Sequence, residues 1–302
     1  MNALAYRRAR HGAVLALFLG LIPAALHAQT PVLVSADWLQ QHRSDPGLVV
    51  LQAAMGHDRL PTEWIAGSRF LDYMVFADTA DGLSTQIQPV EGMVGALRAA
   101  GVSNDTRVIL YGNPLLAARL YMTLDYLGHA AQTSYLDGGL AAWKAIGGSV
   151  ADAPATASAP GTFRPAVRTD LVVDAAWIAA RLDDPSVTII DARPEDEYTG
   201  ARTPGDLRPG HIPGAYNLYW EDLIESRDTP VLKALEQVRA RYQASGAAPA
   251  STVVSYCYIG MRASYAYMIS KHLGFQARFY DGSWDDWARR TDLPAVEGSA
   301  RR

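Results

Sequence analysis

The 302 residues hold a single cysteine, Cys257, in the run S-Y-C-Y-I-G-M-R-A-S. The residues before it, Thr252–Tyr256, read as a short buried strand, and those from about Ala263 to His272 as a helix closed by Gly274. The thiol thus falls between a strand end and a helix start, where α/β sheets place their ligands. Three features of that position favour a nucleophilic thiolate. The helix N-terminus offers unpaired N–H groups and the positive end of a dipole. Successive amides in a tight turn form a concave nest for an anion, and Gly260 permits the backbone angles this requires. Arg262 adds a fixed positive charge on the same turn. A free cysteine can also be a small buried hydrophobe. The strand–loop–helix position, Gly260 and Arg262 weigh against that reading here.

The elements that must hold Cys257 occur twice. VSADWLQQHRSDPGLVVLQAA (34–54) matches VDAAWIAARLDDPSVTIIDAR (173–193), and WIAGSRF from Trp64 answers HIPGAYN from His211. The stretch RVILYGNPLLAARLYMTLDYLG, ending at Gly128, answers TVVSYCYIGMRASYAYMISKHLG, ending at Gly274. LDGGLAAW, ending at Trp143, answers YDGSWDDW, ending at Trp287. A repeat of this length means duplicated domains rather than a solenoid. In the second copy a helix over Ala175–Leu182 leads to a strand over Val187–Ile190. A helix in the region Val231–Gln243 follows, then the Cys257 strand and helix, then a strand over Gln276–Tyr280. This alternation specifies an α/β fold: two tandem domains, each a mainly parallel sheet flanked by helices.

Residues 147–162 are Gly, Ser, Ala, Pro or Thr except Val150 and Asp152, which reads as an exposed interdomain linker. The expected division is 29–146 for the first domain, 147–165 for the linker and 166–302 for the second. Ahead of these, Arg7, Arg8 and Arg10 precede an apolar run from Ala13 to Ile22 and a small-residue stretch ending at Ala28. That order is the one of a secretory signal peptide over residues 1–28, and the run is short of the about 20 residues a membrane-spanning helix needs. The expected location is therefore periplasmic, or secreted, after cleavage. The chain beyond Ala28 has 24 basic and 31 acidic residues, a net charge of −7. This argues against nucleic acid as a partner, and no membrane association is expected after cleavage. An apolar share of 49% excludes disorder, and one cysteine excludes an internal disulfide or a Cys-rich zinc site.

The loop C-Y-I-G-M-R, the stretches D-A-R-P-E-D-E-Y and G-H-I-P-G-A, and Y-D-G-S-W together resemble the C-terminal domain of a tandem-domain rhodanese-type sulfurtransferase. The resemblance covers about 34–290. It implies double displacement: the cysteine takes a sulfane sulfur from a small anionic donor, forms a persulfide and passes the sulfur to cyanide or another thiophilic acceptor, with a protein acceptor allowed. It implies no cofactor and no metal. Carried onto this chain, Cys257 is the nucleophile, the amides of Tyr258, Ile259, Gly260, Met261 and Arg262 cradle the sulfur, and Arg262 faces the donor. Arg193 is expected to point towards the pocket, with Glu197 able to pair it. The first copy has Gly112-Asn113 in a shorter loop where Cys257 would lie, and Gln52 for Asp191, so it is read as an inactive domain. Thiosulfate is the favoured donor, because a divalent oxyanion gains most from a bidentate guanidinium; 3-mercaptopyruvate is the alternative.

The remaining residues read as structural. His211 belongs to a turn with its imidazole satisfied by backbone, Trp284 and Trp287 to packing, and Asp285-Asp286 to a solvated turn without the further ligands a metal needs. Tyr258 is the tyrosine expected to line the pocket. Two rivals from other classes remain. A cysteine phosphatase or arsenate reductase would use C-x5-R, whereas four residues separate Cys257 from Arg262. A persulfide carrier or redox sensor would use the same nest without turnover.

Overall fold

The computed structural model describes residues 30–56 and 60–301; the signal-peptide pattern over 1–28 lies outside them. The first half holds strands β1 (Leu33–Val34), β2 (Leu48–Ala54), β3 (Trp64–Ile65), β4 (Arg69–Asp72), β5 (Ala77–Ala80), β6 (Leu83–Ile87), β7 (Arg107–Gly112), β8 (Thr133–Leu136) and β9 (Val150–Ala151). Its helices are α1 (Ala36–His42), α2 (Val90–Ala99), α3 (Pro114–Tyr126) and α4 (Gly139–Ala145). The second half holds β10 (Val172–Val173), α5 (Ala175–Ala179), β11 (Val187–Asp191), α6 (Glu195–Thr199) and β12 (Tyr216–Asn217). It continues with α7 (Leu235–Ala244), β13 (Thr252–Tyr256), α8 (Met261–His272), β14 (Gln276–Tyr280) and α9 (Ser283–Trp287).

The repeat becomes two parallel five-stranded sheets of the same order, β1-β8-β7-β2-β4 and β10-β14-β13-β11-β12. In the central strands β7 and β13 every residue from Val108 to Tyr111 and from Val253 to Tyr256 is buried, as in strands covered on both faces. The equivalent helices α1 and α5 start alike: Ser35 accepts the Trp38 amide and Asp174 the Trp177 amide, each satisfying one of the donors a helix start leaves open. β11 lies between β12, which follows it, and β13, which comes after a helical crossover. The chain reverses direction across the sheet there, so the carboxyl ends of β11 and β13 form the natural ligand crevice.

The halves share one core. α3 packs along α8, and a single apolar cluster runs from Leu51 and Leu120 in the first half to Tyr265, Met268 and Cys257 in the second. A buried carboxylate braces this contact: Asp125 on α3 accepts the Tyr267 hydroxyl at 2.8 Å, Lys271 Nζ at 2.9 Å and Arg168 Nη1 at 2.9 Å. Residues 147–162 are mostly exposed but tied to the first half. β9 pairs with β3, and the Ala155 and Gly161 amides donate to the Ser68 and Arg98 carbonyls.

Three boundaries differ from the sequence reading. The helix expected over Ala175–Leu182 ends at Ala179, and the Cys257 helix starts at Met261, because Gly260 in the left-handed region (φ +87°) lets it begin at once. The helix expected over Val231–Gln243 runs from Leu235, since the chain before it folds back in an Ile224–Leu232 bridge. Asp285 and Asp286 are not a solvated turn. They lie in α9, Asp285 buried and paired with Arg289, Asp286 accepting the Tyr280 hydroxyl at 2.7 Å.

Candidate active site

Cys257 is the first residue past β13 and has no exposed surface. Its main chain is fixed by the Y-D-G-S-W segment. The Cys257 amide donates to Ser283 Oγ at 3.2 Å, and its carbonyl accepts the Trp284 amide at 2.9 Å. Ser283 stands in the left-handed region at φ +52° and passes its own proton to the Tyr280 carbonyl at 3.0 Å. Downstream, the Tyr258 carbonyl accepts the Asp285 amide and the Gly260 carbonyl accepts both the Ser264 amide and hydroxyl. The carbonyls of this loop are therefore spent on structure. Its amides are not: among the described residues, the N–H groups of residues 258–262 donate no hydrogen bond. Five consecutive free donors at the start of a twelve-residue helix make a concave positive surface beside the sulfur.

Arg262 stands on the first turn of α8, about four-fifths buried. Glu197 of α6 holds it in a two-pronged pair, Nη1 to Oε1 at 3.0 Å and Nη2 to Oε2 at 2.8 Å. Burial opposes the Arg262 charge, but the neighbouring Cys257 sulfur and Glu197 more than offset it and hold its pKa above the ordinary arginine value. Glu197 also binds Arg202 at 2.9 Å. It does not pair Arg193, contrary to the sequence expectation. Arg193 is wholly buried against Asp191, which takes its Nε and Nη2 at 3.0 and 2.6 Å, while Nη2 also donates to the Gly210 carbonyl at 2.8 Å. The guanidinium stacks 4.8 Å from the Trp284 ring. Of its nitrogens only Nη1 has no partner. Tyr258 and Ile259 are half-buried at the loop crest, and Met261 Sδ accepts the Tyr73 hydroxyl at 2.6 Å.

His211 is buried and stacked on Tyr198 with ring centroids 3.7 Å apart, and its Nδ1 meets the Tyr198 carbonyl at 2.9 Å. It serves the turn. Burial lowers its pKa, as it does for His129 and His272. In the unfolded chain imidazole titrates near 6.5, so below that pH the unfolded state takes up protons first. Stability is therefore full above about pH 6.5 and is lost as pH falls below it. Thermal unfolding followed from pH 8 to pH 5 should show this decline, and His211→Gln should make it shallower.

The first half shows why it has no equivalent site. Between β7 and α3 there is one residue, Asn113, whose side chain caps the helix by accepting the Leu115 and Leu116 amides. Between β13 and α8 there are four. Without the longer loop there is no row of free amides. Gly112 itself has φ +124°, and a Cβ there would stand 2.6 Å from the Ala53 carbonyl oxygen, so no cysteine fits.

Three neighbours of the loop come from the first half and were not singled out in the sequence: Tyr73, Thr85, whose hydroxyl donates to the Ile259 carbonyl, and Arg119. Only Arg119 carries a local signal, a lone cation in the apolar run L-L-A-A-R-L-Y-M.

Residues 174–290 match the rhodanese-like domain family. Over nine-tenths of this chain and 99% of its own length, the sulfur carrier protein TtuD of Thermus thermophilus is 29% identical. The 3-mercaptopyruvate sulfurtransferase of Escherichia coli K12 is 30% identical, covering 86% of this chain and 96% of its own. A Mycobacterium tuberculosis protein provisionally named a thiosulfate sulfurtransferase is 30% identical over 90% of this chain and all of its own. The crystal structure of Escherichia coli SseA, titled as a rhodanese-fold 3-mercaptopyruvate sulfurtransferase, superposes with a TM-score of 0.72 at 26% identity, covering 84% of this chain and 99% of that one. Matched along nearly their whole length and sharing this two-sheet fold, these relatives show that the chain belongs to the rhodanese-type sulfurtransferase family.

Proposed function

We propose that this sulfurtransferase moves the sulfane sulfur of thiosulfate, through a persulfide on Cys257, to cyanide or another thiophilic acceptor. The observation that carries the reading is the row of free amides at residues 258–262 directly after the sulfur. In the first step the Cys257 thiolate attacks the outer sulfur of thiosulfate. A new S–S bond forms, the donor's S–S bond breaks, and sulfite leaves with the bonding pair. In the second, cyanide attacks the terminal sulfur of the persulfide; thiocyanate forms and the thiolate is regenerated. Charge develops on sulfur in both steps, and fixed N–H dipoles need no reorganisation to meet it.

The donor preference rests on the free amides rather than on a bidentate guanidinium. Arg262 keeps its cation beside the loop, but Glu197 already takes both of its terminal nitrogens. The amides must then carry more of the contact with a small dianion. A phosphoryl group fits less well, because the loop is one residue shorter than C-x5-R. The basic and apolar pattern of residues 1–28 supports export to the periplasm, which amino-terminal sequencing of the native protein tests.

The deciding measurement is the intact mass of the protein before and after thiosulfate, and again after cyanide. The expected result is a gain of one sulfur, about 32 Da by atomic mass, lost on cyanide as thiocyanate appears. A gain from 3-mercaptopyruvate alone would move the donor assignment to that compound. A sulfur that loads but is not released to cyanide would indicate a carrier. No gain from either donor would remove the persulfide reading.

A further inference from the structure

The cysteine-free half puts a charge behind the Cys257 loop. Arg119, midway along α3, has no exposed surface. Its Nη2 donates to Asp281 Oδ1 and to the Thr85 carbonyl, both at 2.6 Å, and its guanidinium lies 4.9 Å from the Phe279 ring centroid. Nε and Nη1 are buried with no acceptor. The Nη1 edge abuts Gly260, where a Cβ would come within 3.1 Å of it. Gly260 is the residue that turns the free-amide loop into α8.

The partners of Arg119 lie against the same loop. Thr85 donates its hydroxyl to the Ile259 carbonyl, and the Asp281 carbonyl oxygen would stand 3.3 Å from a Cβ on Gly260, while Asp281 Oδ2 accepts the Ile87 amide of β6 at 2.8 Å. Tyr73 stands over Met261. Burial pushes its phenol up to about 12, with Arg119 opposing that rise and Asp281 and Cys257 adding to it. Cation, carboxylate and thiol thus all act on one hydroxyl electrostatically. A buried guanidinium with two idle donors is costly to a fold, and Asp281 satisfies only one of its edges. The edge left open is the one turned to the loop.

We propose that Arg119 is a positioning residue for sulfur transfer: braced by Asp281 and Thr85 behind Gly260, it fixes the loop of free amides and lends positive potential to the anionic sulfur of Cys257. The inference rests on Cys257 being the sulfur acceptor. Other charged groups around the loop are Arg262 with Glu197, from α8 and α6, and Arg193 with Asp191 at the end of β11. These stay unchanged in the variants below.

The test uses the full chain with Arg119→Gln, Arg119→Lys and Asp281→Asn. The first readout is thiolate ultraviolet absorbance against pH, differenced against Cys257→Ser. The second is the rate of sulfur loading from thiosulfate by intact mass. In Arg119→Gln the thiolate should appear at higher pH and loading should slow by at least about tenfold. Arg119→Lys should restore most of the absorbance curve, and loading only in part because the fork is lost. Asp281→Asn leaves the cation without its counter-charge and should move the curve to lower pH. Loosened packing alone would not move the two curves in opposite directions. If both Arg119→Gln and Asp281→Asn fold and titrate as the wild type does, the proposal is overturned. If Arg119→Gln does not fold, the direction of the Asp281→Asn shift decides. Failure of the wild type to load sulfur from either donor would overturn the proposed function, while the absorbance curves would still decide the role of Arg119.

Discussion

Cys257→Ser should gain no sulfur from thiosulfate, and thiocyanate production should fall by at least about 10⁴-fold, the scale on which removing a covalent nucleophile acts. No other cysteine exists in the chain to take over the persulfide. A hydroxyl in the same place is not a nucleophile of comparable reactivity and forms no persulfide. The fold should survive, because the bonds that position this residue belong to its backbone: the amide to Ser283 Oγ and the carbonyl from the Trp284 amide. Exchanging sulfur for oxygen in a closed apolar site should cost about 1 kcal/mol, small beside the stability of a folded domain. Circular dichroism and thermal unfolding therefore accompany the mass measurement. A folded Cys257→Ser protein that still loads and releases sulfur at the wild-type rate would end the assignment.

Much of the scaffold behind that cysteine was legible in the sequence. The paired segments around Trp38 and Trp177 reappear as equivalent strand–helix units, and the strands over Thr252–Tyr256 and Gln276–Tyr280 fall where their apolar, β-branched runs put them. Those are local signals, a buried period and a Gly stop, and local signals survive folding. What the sequence could not assign was the choice among partners. Arg193, Arg202 and Arg262 lie within seventy residues and have the same chemistry on paper, as do the carboxylates Asp191 and Glu197. Which carboxylate each guanidinium meets depends on a crevice between β11 and β13 that only the three-dimensional sheet defines. The hairpin β5–β6 was also hidden. Its sequence, A-D-T-A-D-G-L-S-T-Q-I, has weak alternation and no counterpart in the second half to mark it.

The first half lacks a counterpart of the Cys257 loop for two independent reasons. Restoring a cysteine at Gly112 would meet the Ala53 carbonyl, and the one-residue connection to α3 would still supply no row of amides. The half has kept another use. Its α3 buries Asp125 and Arg119 against the half that holds Cys257, so the sheet without a cysteine contributes polar groups to the packing of the one that has it.

The second large effect is expected at Asp191, and it separates a fold role from a donor-binding role for Arg193. Both side chains of this pair have no exposed surface. Burial disfavours the Arg193 cation, and the adjoining Asp191 carboxylate more than reverses that, holding its pKa above the usual arginine value. Asp191→Ala would leave the cation in a dry site with the Gly210 carbonyl as its remaining acceptor. Breaking a buried pair from one side costs about 3–5 kcal/mol, which for a chain of this size lowers Tm by on the order of 10 °C. Removing both charges is a different change. Asp191→Leu with Arg193→Met fills a similar volume with apolar groups, and such exchanges are often neutral. The double variant should therefore recover most of the lost Tm. Because Asp191 and Gly210 take every Arg193 nitrogen except Nη1, it should also load sulfur from thiosulfate at close to the wild-type rate. If Tm recovers while loading is lost, Arg193 reaches the donor through Nη1, as the family resemblance implied. Calorimetry and intact mass on the three proteins separate these outcomes, since a fault confined to folding would track Tm and a fault in donor binding would not.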